Sequence, residues 1–324
     1  MTIEDRIRGT IYGQAIGDAL GLGTEFLTKS AVRKYYPRGL ADYDQIIRDG
    51  HRRKWKEGSW TDDTDQMLCI MESIIDRREV DTKDIALRLY RWVASGAADV
   101  GNTVHSVISQ PGFLDDPHRA SESVWEKSGR SAAANGGVMR TSVLGVWDYR
   151  YPSRVRENAA KVCRITHHDP RCVGSCVVVC LAISAILRGV TSIDELFEDA
   201  YDEGALHDPR IAEYLDRSKG SLDALDLDEG LDPEAGSNGS IGYTLKALGA
   251  AFWAMKHSLS FEGGISKVIH EGGDADSNGA VTGALLGALF GFSEIPGRLV
   301  SSLRGRARLE EKTVRLLKLV ECRP

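Results

Sequence analysis

Apolar residues recur along this chain at the three- and four-residue spacing of amphipathic helices, and no run alternates long enough to make a strand. In residues 64–77, Met67, Ile70, Met71 and Ile74 share one face. Residues 82–94 repeat the pattern less cleanly through Ile85, Leu87, Leu89, Trp92 and Val93, and residues 154–165 hold a shorter amphipathic piece. Residues 241–257 and 306–320 also read as helices, and Thr2 followed by Asp5 resembles a capping box that opens the first one. Residues 173–187 are apolar all round, the mark of a buried central helix. There is no βαβ rhythm and no repeat of fixed period. The pattern predicts an all-α fold, a single domain over residues 1–324 with its helices packed around a central apolar pair.

Glycine changes the picture. The chain has 34 glycines and only 9 prolines, and the glycines are not in linkers. Gly13, Gly17 and Gly21 fall four apart, as do Gly279, Gly283, Gly287 and Gly291. That spacing makes a stripe on one side of a helix. An interior glycine costs about 1 kcal/mol of helix propensity relative to alanine, so two stripes predict helices whose backbones come unusually close to a neighbour. Acids stand near the ends of both segments: Asp18 and Glu25 in one, Asp274 and Asp276 in the other.

Two stretches depart from the helical pattern. Residues 29–56 look loop-like and basic and end in His51-Arg52-Arg53-Lys54. Residues 194–234 carry 15 Asp and Glu against Arg210, Arg217 and Lys219, and read as an acidic, solvated surface excursion. The formal charge of −6 argues against a general nucleic-acid binder. The longest apolar run, 172–187, is shorter than the roughly 20 residues of a membrane span. The N-terminus has no apolar signal region, so a cytoplasmic protein with no membrane partner is expected, as a monomer. Cys172, Cys176 and Cys180 lie four apart among valines and read as small, reduced core residues. The tryptophans look scattered and suggest no stacking platform.

The chemistry concentrates in two short motifs. GSWTDDTDQM puts Thr61, Asp62 and Asp63 at the mouth of a helix. One N-cap explains one such residue, not the whole run, and adjacent carboxylates repel unless a cation lies between them. GGDADSNGA places Asp274, Asp276 and Ser277 at the start of the second glycine-striped segment. Hard cations such as Mg²⁺ and Mn²⁺ take oxygen-only ligands of this kind. Two oxygen clusters at two helix mouths suggest a shared dinuclear site.

These motifs occur in order with YGQAIGDALGLGTEF, DVGNTV, NGGVMRTSVLG and THHDP over residues 12–291. Together they resemble the ADP-ribosylglycohydrolase family. The resemblance implies an orthogonal helical bundle and a metal-dependent hydrolase that cleaves the C1″ linkage of ADP-ribose. It implies two Mg²⁺, or Mn²⁺, held by Thr61, Asp62, Asp63, Asp274, Asp276 and Ser277, with catalytic roles for Glu25, Asp62 and Asp276. The family usually has Thr where this chain has Ser277, which keeps the hydroxyl and loses a methyl. Asn135, Gly136, Gly137 and Met139 match the family loop near the diphosphate and distal ribose. At its end Arg140 would meet phosphate or form an internal ion pair. His167, after Thr166, matches a family histidine able to hydrogen-bond the ligand. Tyr243 matches the ring that covers adenine, with a core aromatic as the competing reading.

Asp99, in Ala98-Asp99-Val100-Gly101-Asn102-Thr103, resembles the loop acid of arginine-directed members, beside the scissile ribose. A carboxylate there can pair with a guanidinium leaving group. The expected substrate is therefore ADP-ribosylated protein, with arginine-linked ADP-ribose favoured, while ADP-ribosylated nucleic acid stays open. Two other readings fit the same residues: hydrolysis of a free ADP-ribose derivative, O-acetylated or phosphorylated at C1″, and a catalytically silent ADP-ribose-binding regulator. Every acidic ligand position is filled, which favours the enzyme.

Overall fold

The two glycine stripes are the two halves of one contact. In the computed structural model, which describes residues 1–231 and 241–322, helix α1 (Ile3–Gly21) and helix α14 (Ala275–Phe290) run antiparallel with their backbones touching. Gly9 faces Gly287, Gly13 faces Gly283, and Gly17 faces Gly279. A β-carbon on any of these would sit inside the van der Waals radius of the opposite carbonyl oxygen. Only glycine permits this approach, which offsets its poor helix propensity with backbone-to-backbone dispersion and Cα–H···O contacts.

The remaining helices wrap this pair. In chain order they are α2 (Lys29–Tyr35), α3 (Asp62–Arg77), α4 (Thr82–Ala94), α5 (Asn102–Ile108), α6 (Pro117–Lys127), α7 (Ser142–Trp147), α8 (Pro152–Cys163) and α9 (Pro170–Leu187). There follow α10 (Ile193–Ala205), α11 (Pro209–Ser218), α12 (Thr244–His257) and α13 (Phe261–Ile269), then α15 (Gly297–Ser302) and α16 (Arg306–Glu321) after α14. The described residues contain no strand, only an isolated antiparallel bridge between Ala134 and Tyr243. The all-α reading of the sequence holds.

Helix α9 is, among the described residues, the one helix long and apolar enough to cross a membrane by length and composition. Here it is enclosed by α7, α8, α10 and α12 and is almost wholly buried. Its Cys172, Cys176 and Cys180 are free thiols in that core. Cys172 and Cys180 donate to the backbone carbonyls of Ala134 and Thr141.

Three local expectations need correction. Thr2 caps α1, accepting from the Asp5 N–H at 3.1 Å, but Asp5 does not close a capping box. Its carboxylate instead takes the N–H and hydroxyl of Ser293, just beyond α14, and so ties the free ends of the glycine pair. The basic stretch 29–56 is not all loop: Thr28 caps α2, which buries Val32. That helix is too short for its apolar spacing to register in the sequence. The acidic stretch 194–234 contains α10 and α11, which bury Leu196, Phe197, Ala200, Ile211 and Leu215 while most of their acids face solvent. Its last part, residues 232–234, lies outside the described residues.

Candidate active site

The glycine contact decides where the acids go. Because α1 and α14 are antiparallel, the C-terminal end of one meets the N-terminal end of the other. Asp18, in the last turn of α1, accepts from the backbone N–H groups of Thr61 (2.8 Å) and Thr64 (3.0 Å) and from the Thr64 hydroxyl (2.6 Å). It thereby caps α3 from another helix, while Thr61 at the N-cap position makes no side-chain cap bond of its own. Complete burial pushes the Asp18 carboxyl up to about 7, against the lowering effect of these hydrogen bonds.

Past α1 the chain returns to α14 through a short backbone exchange. The Phe26 N–H donates to the Gly273 carbonyl (2.8 Å), and the Gly273 N–H donates to that of Leu27 (2.9 Å). Gly272 and Gly273 both sit in the left-handed region, with φ near 74° and 75°. A β-carbon on Gly273 would strike the Leu227 carbonyl. This exchange sets Glu25 beside Asp274 and Asp276, and each of the three offers an oxygen within 4.8 Å of the others.

Asp62 and Asp63 arrive from the mouth of α3. The Asp63 Oδ2 is 3.4 Å from the Thr61 hydroxyl and 3.5 Å from that of Ser277, both donating to it. Its Oδ1 is buried without a hydrogen-bond partner. Asp62 Oδ2 accepts from the Gln66 amide at 2.7 Å, and Asp274 Oδ2 from the Asn135 amide at 2.9 Å. Among the described residues, the one side chain able to carry positive charge that hydrogen-bonds a carboxylate of this cluster is His51, whose Nε2 is 2.7 Å from Glu25 Oε2.

The cluster is electrostatically unfavourable by itself. Burial first, and then the neighbouring carboxylates, push Asp62, Asp63 and Asp276 well above the usual carboxylate range and raise Glu25 and Asp274. Oxygen-only donors, mutual repulsion and the orphaned Asp63 oxygen fit a divalent cation. All six residues expected as ligands, Thr61, Asp62, Asp63, Asp274, Asp276 and Ser277, come to this end of the helix pair. The three carboxylates whose oxygens lie within 4.8 Å of one another, however, include Glu25, which the sequence analysis gave a catalytic role and no place among the metal ligands.

The glycine loop lies next to the cluster. Its start is pinned to the strand-like residues before α12: the Asn135 N–H donates to the Gly242 carbonyl (2.9 Å) and the Thr244 N–H to that of Ala133 (3.0 Å). A β-carbon at Gly136 would approach the His167 ring to 2.8 Å, and one at Gly137 the Cys163 sulfur to 2.9 Å. His167 therefore packs beneath the loop. Its Nδ1 is 2.8 Å from the Thr166 hydroxyl, and its Nε2 is buried with no partner. Burial, with the nearby Arg140 charge, lowers its pKa to about 3, so the ring is neutral. Met139 lies under Ser277, with its sulfur 3.8 Å from the hydroxyl.

Arg140 corrects both readings offered for it. It is 0% exposed, so it does not face a ligand phosphate, and its hydrogen-bond partners, Gln66 and Thr166, are neutral side chains rather than a carboxylate. The half-buried Tyr243 ring stands edge-on to Tyr214 at 5.6 Å, with the Arg171 guanidinium 5.5 Å from its centroid.

Asp99 faces the cluster from the opposite side. It shares a cavity of about 260 Å³ with Asp62, Asp65, Trp55, Trp60 and Trp92. Asp65 accepts from the indole N–H groups of Trp60 (2.9 Å) and Trp92 (3.2 Å). The tryptophans that look scattered in sequence are therefore gathered, three of them, at the rim of the site. Phe26 adds to this rim: it is 48% exposed, has φ of 56°, and its ring centroid lies 5.0 Å from that of His51. A bulky residue in the left-handed region is uncommon and clusters at functional sites. Sequence reasoning missed Asp18 as a cap, His51, Gln66 and the tryptophan rim. The only signal available was the five-residue spacing of Trp60 and Asp65 around the Thr-Asp-Asp-Thr run.

Known proteins share this architecture. The family profile described as ADP-ribosylglycohydrolase matches residues 1–323. An ADP-ribosylarginine hydrolase Tri1 of Serratia proteamaculans is 26% identical over 319 residues, covering 94% of this chain and 77% of that protein. An ADP-ribosyl-[dinitrogen reductase] glycohydrolase of Rhodospirillum rubrum is 25% identical over 305 residues, covering 93% and 91%. A solved structure, titled an ADP-ribosylglycohydrolase-related protein complex, superposes with a TM-score of 0.78 at 27% identity, covering 98% of this chain and 99% of that one.

Proposed function

The chain belongs to the ADP-ribosylglycohydrolase family and is an enzyme of that class, and from this premise we propose that it releases ADP-ribose from arginine side chains of modified proteins, using divalent cations. The observation that carries the reading is the buried oxygen cluster at the joined ends of α1 and α14, faced by Asp99 across a tryptophan-lined cavity. Glu25, Asp62, Asp63, Asp274 and Asp276, with the hydroxyls of Thr61 and Ser277, would hold two Mg²⁺ or Mn²⁺ ions. Such ions supply positive charge that orients the ribose 2″ and 3″ hydroxyls and makes a water easier to deprotonate.

The protein's own groups divide the remaining work. Glu25, held through Oε2 by His51, is placed to accept the proton of the attacking water. The surrounding carboxylates stabilise the positive charge that develops at C1″ as the bond to the acceptor breaks. The Asp99 carboxylate receives the guanidinium through charge-assisted hydrogen bonds; as the C1″–N bond breaks, its electron pair stays on the departing nitrogen, which takes up the proton that Glu25 removed from water. The three tryptophans exclude bulk water from that side, which strengthens the pairing. Asn135 holds Asp274 and, from the same loop, would meet the ribose.

The test is a panel differing only in linkage: arginine-linked and serine-linked ADP-ribose on one peptide scaffold, O-acetyl-ADP-ribose and ADP-ribose 1″-phosphate. Each is assayed with Mg²⁺, with Mn²⁺ and with EDTA. The expected result is fastest cleavage of the arginine linkage and loss of all activity in EDTA. Faster cleavage of the serine linkage or of a free derivative rejects the acceptor assignment, and full activity in EDTA rejects the metal assignment.

A further inference from the structure

Arg140 lies at the end of the glycine loop and is wholly buried, yet no carboxylate among the described residues forms an ion pair with it. Burying a charge without a counter-ion is costly, so ordinary ion-pair stabilisation does not account for it. Its two terminal nitrogens are both committed: Nη1 donates to Gln66 Oε1 at 2.6 Å and Nη2 to the Thr166 hydroxyl at 2.6 Å. Gln66, itself buried in the second turn of α3, donates its amide Nε2–H to Asp62 Oδ2 at 2.7 Å.

The chemistry of the ends fixes the direction of this chain of bonds. A guanidinium has only donors and an ionised carboxylate only acceptors. The Gln66 amide therefore has a single satisfied orientation, with its oxygen toward Arg140 and its NH₂ toward Asp62. Without Arg140 the amide oxygen loses its donor, and Asp62 alone is left to hold the amide in place. With Arg140 in place, Oδ2 of Asp62 is occupied and Oδ1 remains for the site. On the other arm, the Thr166 hydroxyl accepts from Arg140 and pairs with His167 Nδ1 at 2.8 Å, beneath Gly136. The same guanidinium thus braces the loop from below and sets the carboxylate opposite.

We propose that Arg140 and Gln66 are positioning residues that select which oxygen of Asp62 is offered to the bound cation. This rests on the metal reading given above. Groups that orient metal ligands typically change affinity or activity by about 10–100-fold when removed.

The decisive variant is Gln66→Glu. It gives Arg140 the carboxylate it lacks and takes the donor away from Asp62. A purely structural role would leave Mn²⁺ affinity at the wild-type value. We expect the variant to stay folded in EDTA, as read by its melting transition, while Mn²⁺ affinity, measured by calorimetry on substrate-free protein, falls at least tenfold. With saturating Mn²⁺, kcat should fall with little change in KM. Arg140→Lys serves as a second variant. It keeps the charge but cannot bridge Gln66 and Thr166 with a planar fork, and a Mn²⁺ affinity reduced at least threefold is expected in folded protein. Wild-type Mn²⁺ affinity in folded Gln66→Glu overturns the proposal, as does wild-type affinity in Arg140→Lys should the first variant not fold. If wild-type protein itself binds no Mn²⁺, the metal reading falls and this inference falls with it. Binding by wild type that Gln66→Glu matches defeats the positioning role alone.

Discussion

On one side of the site, two helices touch through their backbones and leave no room for a β-carbon. On the other, Asp99 and three tryptophans line a cavity of about 260 Å³. The floor is thus set by main chain: Glu25, Asp274 and Asp276 sit where the antiparallel pair ends, and moving them means moving a helix. The rim is set by side chains, and Asp99, on the connection between α4 and α5, belongs to neither helix. This division suits an enzyme whose ribose chemistry must stay constant while the acceptor it reads is free to change.

The largest effect should come from the floor's charge. Asp276→Ala and Asp62→Ala should each lower hydrolysis by about 10³-fold or more, the scale at which a principal electrostatic group acts. In EDTA both variants should melt at or above the wild-type temperature, because each removes one of several mutually repelling carboxylates. Most of the activity surviving at saturating Mg²⁺ would count against the ligand assignment. The floor's backbone comes next. Gly17→Ala should cost about 3 kcal/mol, the upper end of the usual cost of overpacking, as measured by urea denaturation. A loss below about 0.5 kcal/mol, the scale of a surface substitution, would erase the distinction between floor and rim.

A smaller effect separates the buried acids from the rest by pH. Asp18 keeps its proton to about pH 7 in the folded metal-free protein, above its unfolded value of 3.8. A raised carboxyl contributes stability that is fully present below the unfolded pKa and lost as pH rises through the folded one. In EDTA, the Asp18 contribution to stability should therefore fall by about 1 kcal/mol between pH 6 and 8. Asp18→Asn should flatten that slope, and added Mg²⁺ should stabilise more at the higher pH because metal and protons compete for the cluster. His167 acts in the opposite sense. Its lowered pKa contributes stability that is present above 6.5 and lost as pH falls toward 3, so near pH 6 it offsets part of the Asp18 slope, and the difference between wild type and Asp18→Asn isolates the Asp18 share.

The rim should give the smallest and most selective change. Asp99→Ala should leave the melting temperature within experimental error and slow cleavage of the arginine linkage by about 10–100-fold, the loss of one charge-assisted contact. The serine linkage should be affected much less. Equal losses on both linkages would make Asp99 part of the floor's chemistry rather than a reader of the acceptor.

How much of this was legible beforehand follows the same line. The span of α4 (Thr82–Ala94) and the start of α16 (Arg306–Glu321) coincide with the apolar spacing, since their amphipathic faces extend over whole turns. Helices α2, α10 and α11 did not show, because one is too short and the others are masked by acid. The floor was readable because its acids are sequence neighbours, Asp62 with Asp63 and Asp274 with Asp276, beside glycine stripes that have no other use. Gln66 and Arg140 stand 74 positions apart, and His51 and Glu25 26 apart, so no local pattern joins them. Arg140 was misread because a cation after a glycine pair suggests phosphate, whereas packing turns it inward.

The helix contact also sets a schedule for synthesis. α1 spans Ile3–Gly21 and its partner begins only at Ala275. At about 5–20 residues per second, the second stripe leaves the ribosome roughly 10–50 s after the first. Until then the glycine-rich segment lacks its main partner and has little helical tendency of its own. The end of the helix pair that gathers the acids therefore cannot form until most of the chain has been made.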